Sequence, residues 1–112
     1  MDRMTDCLFC KIASHDIPVK AVFEDDLCLV FPDINPQAPK HLLVIPKQHF
    51  ANVTEATASL LGHVLKTAAD VGARELPNGF RLVINTGDDG GQTVDHLHLH
   101  LLGGRAMHWP PG

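Results

Sequence analysis

The chain lacks features that two large classes of protein require. It has no segment near the ~18 consecutive apolar residues that span a bilayer, and its acidic start, MDRMTD, is unlike a signal or transit peptide. Basic residues are in the minority: nine Lys and Arg against thirteen Asp and Glu give a formal charge of −4 with neutral histidine. A general nucleic-acid binder needs a basic surface to displace counterions. We therefore expect no membrane partner, no nucleic-acid partner and a cytoplasmic location.

Cysteine is also scarce, and the three cysteines are an odd number, which suits a reducing compartment better than a disulfide framework. Cys28 lies in an apolar run, where a small core residue is the simplest interpretation. Cys7 and Cys10 form a C-x-x-C pair within reach of one metal ion. No second pair completes the four ligands of zinc, so two small apolar residues of a short helix remain an alternative.

The length of 112 residues predicts a single domain, residues 1–112. A short helix or turn is expected before Pro18. Apolar residues at three- and four-residue spacing from Val53 onward predict one long helix of about 20 residues, with Asn52 or Thr54 as its cap. Five apolar runs predict strands, at residues 19–24, 27–33, 41–46, 80–85 and 94–102. These elements predict an α+β domain around a mainly antiparallel sheet.

The run His96-Leu97-His98-Leu99-His100-Leu101 alternates with the period of a strand. Three histidines on one face, ~6.6 Å apart, indicate either a metal site or a nucleophilic and acid–base site, while the leucines pack into the core. On a straight strand they span ~13 Å, too far for one ion to bind all three. The glycine-rich loop before this run, residues 86–92, permits positive φ and could direct N–H groups at an anion.

The segment GQTVDHLHLHLLGGR, residues 91–105, resembles the signature of the histidine-triad (HIT) superfamily. The ending MHWPPG resembles the Hint branch, the purine nucleoside phosphoramidases, as do FEDD at 23–26, DINPQAP at 33–39 and HLLVIPK at 41–47. The resemblance covers residues 7–112. It implies a HIT-like fold, a five-stranded sheet with one long helix and a short N-terminal helix.

The resemblance also implies roles for the histidines. His98 attacks the α-phosphorus of a purine nucleoside phosphoramidate, and water then hydrolyses the nucleotidyl-histidine. Imidazole suits this role because one nitrogen attacks while the other donates its proton to an acceptor. His100 holds a phosphate oxygen. His96 and His41 orient the nucleophile or relay a proton.

By the same resemblance, the nucleotide contacts include Asp33 at the ribose hydroxyls and Phe9 and Ile34 at the base. The positions that contact the phosphate and the leaving group are Asn85, Gly91, Gln92 and Thr93. Trp109 reaches the active site of a partner subunit in a homodimer. Two residues depart from the branch: Thr93 replaces the usual serine, and Asp95 replaces an aromatic residue.

Some HIT proteins of bacteria bind zinc, and their ligands correspond here to Cys7, Cys10, His41 and His96. The resemblance therefore implies one structural zinc and no organic cofactor. Four other histidines are expected at the surface without a role: His15, His49, His63 and His108.

Several alternatives stay open. One is dinucleoside polyphosphate hydrolysis, although the WPPG ending argues against that branch. A uridylyltransferase-like activity is disfavoured because that branch typically carries Gln where this chain has His100. A nucleotide- or zinc-binding regulatory module would catalyse only incidentally. A metalloenzyme with the triad histidines around a metal-bound water would need a ligand from elsewhere.

Overall fold

The structure of the protein, a computed structural model, describes residues 6–112. Its elements are α1 (Leu8–Ala13), β1 (Phe23–Glu24), β2 (Cys28–Pro32), β3 (Lys40–Pro46), a 3₁₀ turn (Val53–Glu55), α2 (Ala58–Glu75), β4 (Phe80–Val83) and β5 (Leu99–Gly103). The strands form one sheet in the order β1-β2-β3-β5-β4, and every neighbouring pair is antiparallel. The predicted α+β class, with five strands, one long helix and a short N-terminal helix, is confirmed.

Helices cover both faces of the central strands, which explains why β2 and β3 read as unbroken apolar runs. Because side chains alternate along a strand, Val30 and Leu42 pack on the α2 side, whereas Phe31 and Leu43 pack on the α1 side. His41 shares the parity of Leu43 and therefore lies on the α1 side. The leucines of the HLHLHL run are buried as predicted: Leu97, Leu99 and Leu101 are at most 1% exposed.

Helix α2 begins later than the periodicity predicts. Asn52 caps the 3₁₀ turn by accepting from Thr54 N, and Thr57 caps α2 by accepting from Leu60 N. Gly72 lies where the helix crosses β4, and a Cβ there would stand 2.8 Å from the ring of Phe80. None of the helices within residues 6–112 is long and apolar enough to cross a membrane.

The fifth strand is shorter than the predicted 94–102. Pairing with β3 starts at Leu99, opposite Val44, and the preceding backbone bonds elsewhere: Leu97 N donates to Phe50 O at 2.7 Å. His96 and His98 therefore lie before the regular strand, and the prediction of three histidines on one straight strand is wrong. The side chains still alternate, and Phe9 of α1 contacts the rings of both His96 and His98.

Candidate active site and metal centre

A cleft of about 450 Å³ opens between α1 and the α1 face of the sheet. One end is apolar, with Phe9, Ile17 and Phe31 in its wall. The cleft wall as a whole contains seven of the predicted nucleotide-contact and catalytic residues: Phe9, Asp33, Ile34, His41, Thr93, His98 and His100. The cleft therefore offers an apolar compartment, a carboxylate and three imidazoles in one cavity.

His98 is 5% exposed and is oriented by its own chain. Its Nδ1 lies 2.7 Å from the carbonyl oxygen of His96; a carbonyl only accepts, so Nδ1 carries the proton and donates it. Nε2 then holds the lone pair and has no partner within residues 6–112. The ring lines the cleft, so this nitrogen is available to a ligand in the cavity.

His100 lies beside it, with ring centroids 5.0 Å apart. Its Nδ1 is 2.9 Å from Nε2 of His41. Its Nε2 is the one buried side-chain nitrogen or oxygen of residues 6–112 without a hydrogen-bond partner. Burial, followed by the neighbouring His98 and His41, lowers the pKa of His100 to about 4. A neutral ring with an unpartnered buried nitrogen is the arrangement expected where a ligand atom belongs.

His96 faces the other way and is fully buried. Its Nε2 donates to the carbonyl oxygen of Pro46 at 2.9 Å, which leaves the Nδ1 lone pair directed at two thiols. Cys7 Sγ lies 3.2 Å and Cys10 Sγ 3.5 Å from that Nδ1. Burial lowers the pKa of His96 to about 4, so the ring stays neutral, as a metal ligand must be.

The fourth member of this cluster is His49, whose Nδ1 lies 3.2 Å from Cys10 Sγ. The four ligand atoms of Cys7, Cys10, His49 and His96 all lie within 4.8 Å of one another. Tetrahedral ligands at roughly 2.0–2.3 Å from zinc stand about 3.3–3.8 Å apart, close to the separations found here. Two sulfurs and two imidazole nitrogens are also a donor set that zinc prefers, so the residues fit the metal.

The structure does not bring His41, a predicted metal ligand, to the cysteine pair. Its ring lies with the cleft residues, 2.9 Å from His100 Nδ1 and 3.4 Å from Asp33 Oδ2. His49, expected at the surface, instead lies beside the cysteine pair. No spacing rule links His49 to the C-x-x-C pair, and only tertiary packing places it there. His15 and His63 do lie near the surface, paired with Glu24 and Asp25.

The glycine-rich loop is tied down by Gln92. Its Nε2 donates to Ala51 O at 2.6 Å and Val94 O at 3.0 Å, and its Oε1 accepts from Gly87 N. Gln92 thus fixes the loop rather than lining the cleft, and Asn85 and Gly91 also lie outside the cleft wall. Gly91 has φ of 80°, so the expected positive φ is present.

Thr93 and Val94 also border a second cavity of about 510 Å³ beside Cys7 and His49. Asp95 lies in that wall. The departure from an aromatic residue at this position therefore places a carboxylate near the cysteine–histidine cluster.

The C-terminal tail runs beside the edge strand. Arg81 of β4 donates from Nη2 to the carbonyl oxygen of His108 at 2.7 Å. Trp109 follows and is 84% exposed, so it contributes nothing to the cleft of its own chain.

Comparison with known proteins assigns the family. The HIT domain model matches residues 14–107. The chain belongs to the HIT domain family. An uncharacterised HIT-like protein of Synechococcus elongatus is 60% identical over 111 residues, covering 96% of this chain and 97% of its relative.

Solved structures of HIT proteins have the same fold as this chain. A HIT family hydrolase from Legionella pneumophila superposes with a TM-score of 0.90 at 51% identity, covering 95% of this chain and 99% of that one. A histidine triad nucleotide-binding protein from Candida albicans gives a TM-score of 0.80 at 30% identity, covering 93% and 82%. The predicted HIT-like fold is confirmed.

Proposed function

We propose that this HIT protein is a nucleotide-binding hydrolase that cleaves the P–N bond of purine nucleoside 5′-phosphoramidates, AMP–amine conjugates above all. The observation that carries the proposal is the pairing of His98, whose Nε2 lone pair faces the cleft, with His100, whose buried Nε2 has no partner. The first supplies a nucleophile and the second a site for an anionic oxygen. The names of the Legionella hydrolase and the Candida nucleotide-binding protein support the same class.

The reaction follows from the orientation of His98. Nε2 attacks the α-phosphorus, the P–N bond breaks, and the amine leaves with one added proton, which comes from solvent. The phosphorylated ring becomes cationic, and the carbonyl oxygen of His96, 2.7 Å from Nδ1, stabilises that charge through the Nδ1–H. Water then attacks the same phosphorus, releasing neutral His98 and the nucleoside monophosphate and returning one proton to solvent. One water is consumed for each P–N bond broken.

The other parts of the nucleotide find suitable surfaces in the cleft. We assign the base to the apolar end with Phe9 and Ile34, where a flat ring can pack. We assign the ribose to Asp33, whose carboxylate would accept hydrogen bonds from its two hydroxyls. Thr93, in the cleft wall, is assigned to the leaving-group side. Asn85, Gly91 and Gln92 remain proposed phosphate-side contacts, with Gln92 acting through the loop that it fixes.

We assign one zinc to Cys7, Cys10, His49 and His96. A closed set of four protein ligands gives zinc a structural role: it would join the start of α1 to the segment before β5. Because the carbonyl of His96 orients His98, a metal that fixes His96 would also support the nucleophile. No organic cofactor is required by the reaction as written.

A homodimer is also part of the proposal. β4 is an edge strand, and Leu65, Phe80 and Ile84 are 51%, 37% and 37% exposed. The tail lies at the same edge, held by Arg81. A second copy packed here would cover these apolar residues, and the exposed Trp109 would lie against it.

The test is AMP release from an adenosine 5′-phosphoramidate by wild type and His98→Ala, each with and without a zinc chelator. We expect rapid turnover by the wild type, no turnover by His98→Ala, and only an indirect effect of chelation through stability. Faster cleavage of a dinucleoside polyphosphate would favour that hydrolase instead. AMP binding without turnover of either substrate would favour a binding module.

A further inference from the structure

We propose that the main-chain N–H of Gln37 is a positioning group for the active site, acting through His41 to keep the proton of His100 on Nε2. The inference rests on the proposed function only for the identity of the anion that this N–H meets. It assigns a task to a residue that the histidine motif does not include.

His41 is held in one tautomer by the backbone of Gln37. The amide nitrogen of Gln37 lies 3.0 Å from Nδ1 of His41, and an amide N–H can only donate. Nδ1 therefore accepts, and the single proton of the neutral ring sits on Nε2. His41 is 6% exposed, and burial lowers its pKa, with the Asp33 carboxylate opposing that shift. Burial thus keeps the ring in its neutral form.

His41 in turn fixes the position of the proton on His100. Nε2–H of His41 lies 2.9 Å from Nδ1 of His100 and 3.4 Å from Oδ2 of Asp33, so the shorter contact is the hydrogen bond. Nδ1 of His100 accepts, and its proton must sit on Nε2. That atom is the buried nitrogen without a partner. A chain of two hydrogen bonds therefore turns a donor toward the ligand.

The segment that carries the Gln37 amide is itself held in place. Asp33 Oδ1 accepts from Asn35 N at 2.8 Å, and the Gln37 side chain donates to Asn35 O at 2.9 Å. Asp33 N donates to the carbonyl of His41 at 3.0 Å. The proposed ribose-binding carboxylate and the amide that orders the imidazoles thus belong to one short folded turn.

The opposite proton order has a clear consequence. Without the Gln37 N–H, a proton on Nδ1 of His41 would leave its Nε2 accepting from Nδ1 of His100. A lone pair of His100 would then face the anion and repel it. Besides each other, the titratable groups facing these two rings are Asp33, after β2, and His98, before β5.

The experiment compares Gln37→Pro, which removes the N–H, with Gln37→Ala, which keeps it and removes only the side-chain bond to Asn35. Ring ¹⁵N shifts of histidine-labelled full-length protein report the tautomers. We expect Nε2–H on both His41 and His100 in wild type and Gln37→Ala. In Gln37→Pro we expect His100 to populate the Nδ1–H form.

Ligand binding supplies the functional readout. AMP should bind Gln37→Pro roughly 10–100-fold more weakly than wild type, the effect of losing a hydrogen bond to a charged group. Adenosine, which lacks the phosphate, should change less than about twofold. The AMP defect should shrink as the pH approaches 4, because a doubly protonated His100 donates from Nε2 whichever tautomer it left.

An Nδ1–H tautomer of His100 in the wild type overturns the proposal even if Gln37→Pro does not fold. Equal AMP affinities of folded Gln37→Pro and Gln37→Ala also overturn it. The protein could show the expected Nε2–H tautomers of His41 and His100 and still hydrolyse no phosphoramidate. That result would reject the proposed function and leave this inference standing.

Discussion

His96 and His98 are separated by one residue, yet their rings are bonded through opposite nitrogens. His96 uses Nε2 for the Pro46 carbonyl and turns Nδ1 to two thiols. His98 uses Nδ1 for the His96 carbonyl and turns Nε2 to the cleft. The same side chain therefore becomes a candidate metal ligand in one place and a candidate nucleophile in the other. The role is decided by which nitrogen the backbone occupies, which the residue type alone does not reveal.

Removing the proposed nucleophile, His98, should have the largest effect and should affect the cleft without affecting the cysteine–histidine cluster. His98→Ala should lower AMP release at least ~10³-fold, since losing a nucleophile raises the barrier by several kcal/mol. Its zinc content should equal that of the wild type, because His98 is not among the four clustered ligands. Steady-state kinetics and metal analysis on the same preparation test both statements. Loss of metal in this variant would contradict the separation.

The reverse experiment breaks the metal centre. Cys10→Ala should lose zinc and about 2 kcal/mol or more of unfolding free energy measured with zinc present, because metal that binds only the folded state adds to stability. Chelated wild type provides the matched reference and should unfold at nearly the same denaturant concentration as the variant. A variant as stable as zinc-loaded wild type would show that the cluster is not a metal site.

Two histidines decide between the zinc ligands that the resemblance implied and the zinc ligands proposed from the structure. His49→Ala should lose zinc, whereas His41→Ala should keep it and lose turnover, since His41 contacts His100 instead of the thiols. Metal content measured after dialysis against a weak chelator distinguishes them. Zinc loss in His41→Ala alone would restore the ligand set that the resemblance implied.

A smaller effect is expected from pH. The pKa of His100 falls from 6.5 to about 4 on burial, so between these values the unfolded chain binds more protons than the folded one. The free energy of unfolding is therefore unaffected by His100 above pH 6.5 and decreases as the pH falls from 6.5 toward 4. One group contributes at most about 1.4 kcal/mol per pH unit. His100→Gln should flatten this slope in urea unfolding at pH 7 and pH 5, and an unchanged slope would argue against the shift.

The smallest effect is predicted for a histidine outside both regions. His63 of α2 pairs with Asp25 at 2.8 Å, and both side chains are about a third exposed, 36% and 31%. His63→Ala should cost only ~0.2–1 kcal/mol, with metal content and turnover unchanged. A loss of metal content or of turnover in His63→Ala would mean that the His63–Asp25 pair is coupled to the metal cluster or to the active site.

Local periodicity was sufficient to predict most of the fold. The spacing from Val53 onward indicated the long helix, but the 3₁₀ turn at its start has the same spacing over three residues, so the true cap at Thr57 was missed. The alternation of residues 94–102 suggested a strand, although alternation does not require a pairing partner. Residues 94–98 have no neighbour in the sheet, and Leu97 bonds to the loop at Phe50 instead.

The candidate site likewise has one part that was predicted from the sequence and one part that was not. The alternation of the HLHLHL run singles out His98 and His100, whereas Asp33 and Thr93 were assigned only through the resemblance to the HIT superfamily. The metal cluster joins α1, the loop after β3 and the segment before β5, so its fourth ligand depended on tertiary packing. His41 lies near the start of β3 and His49 follows its end, so the strand carries the two histidines to different sites.

The central claim is that His98 is the nucleophile while the cysteine–histidine cluster only supports it. The most direct test is intact mass of the protein quenched in alkaline denaturant during reaction with an adenosine 5′-phosphoramidate whose amine leaves readily. We predict an added adenylyl group on wild type and on zinc-free Cys10→Ala, located by peptide mapping at His98, and none on His98→Ala. An adduct that persists in His98→Ala, or turnover by wild type that never forms one, would contradict the account.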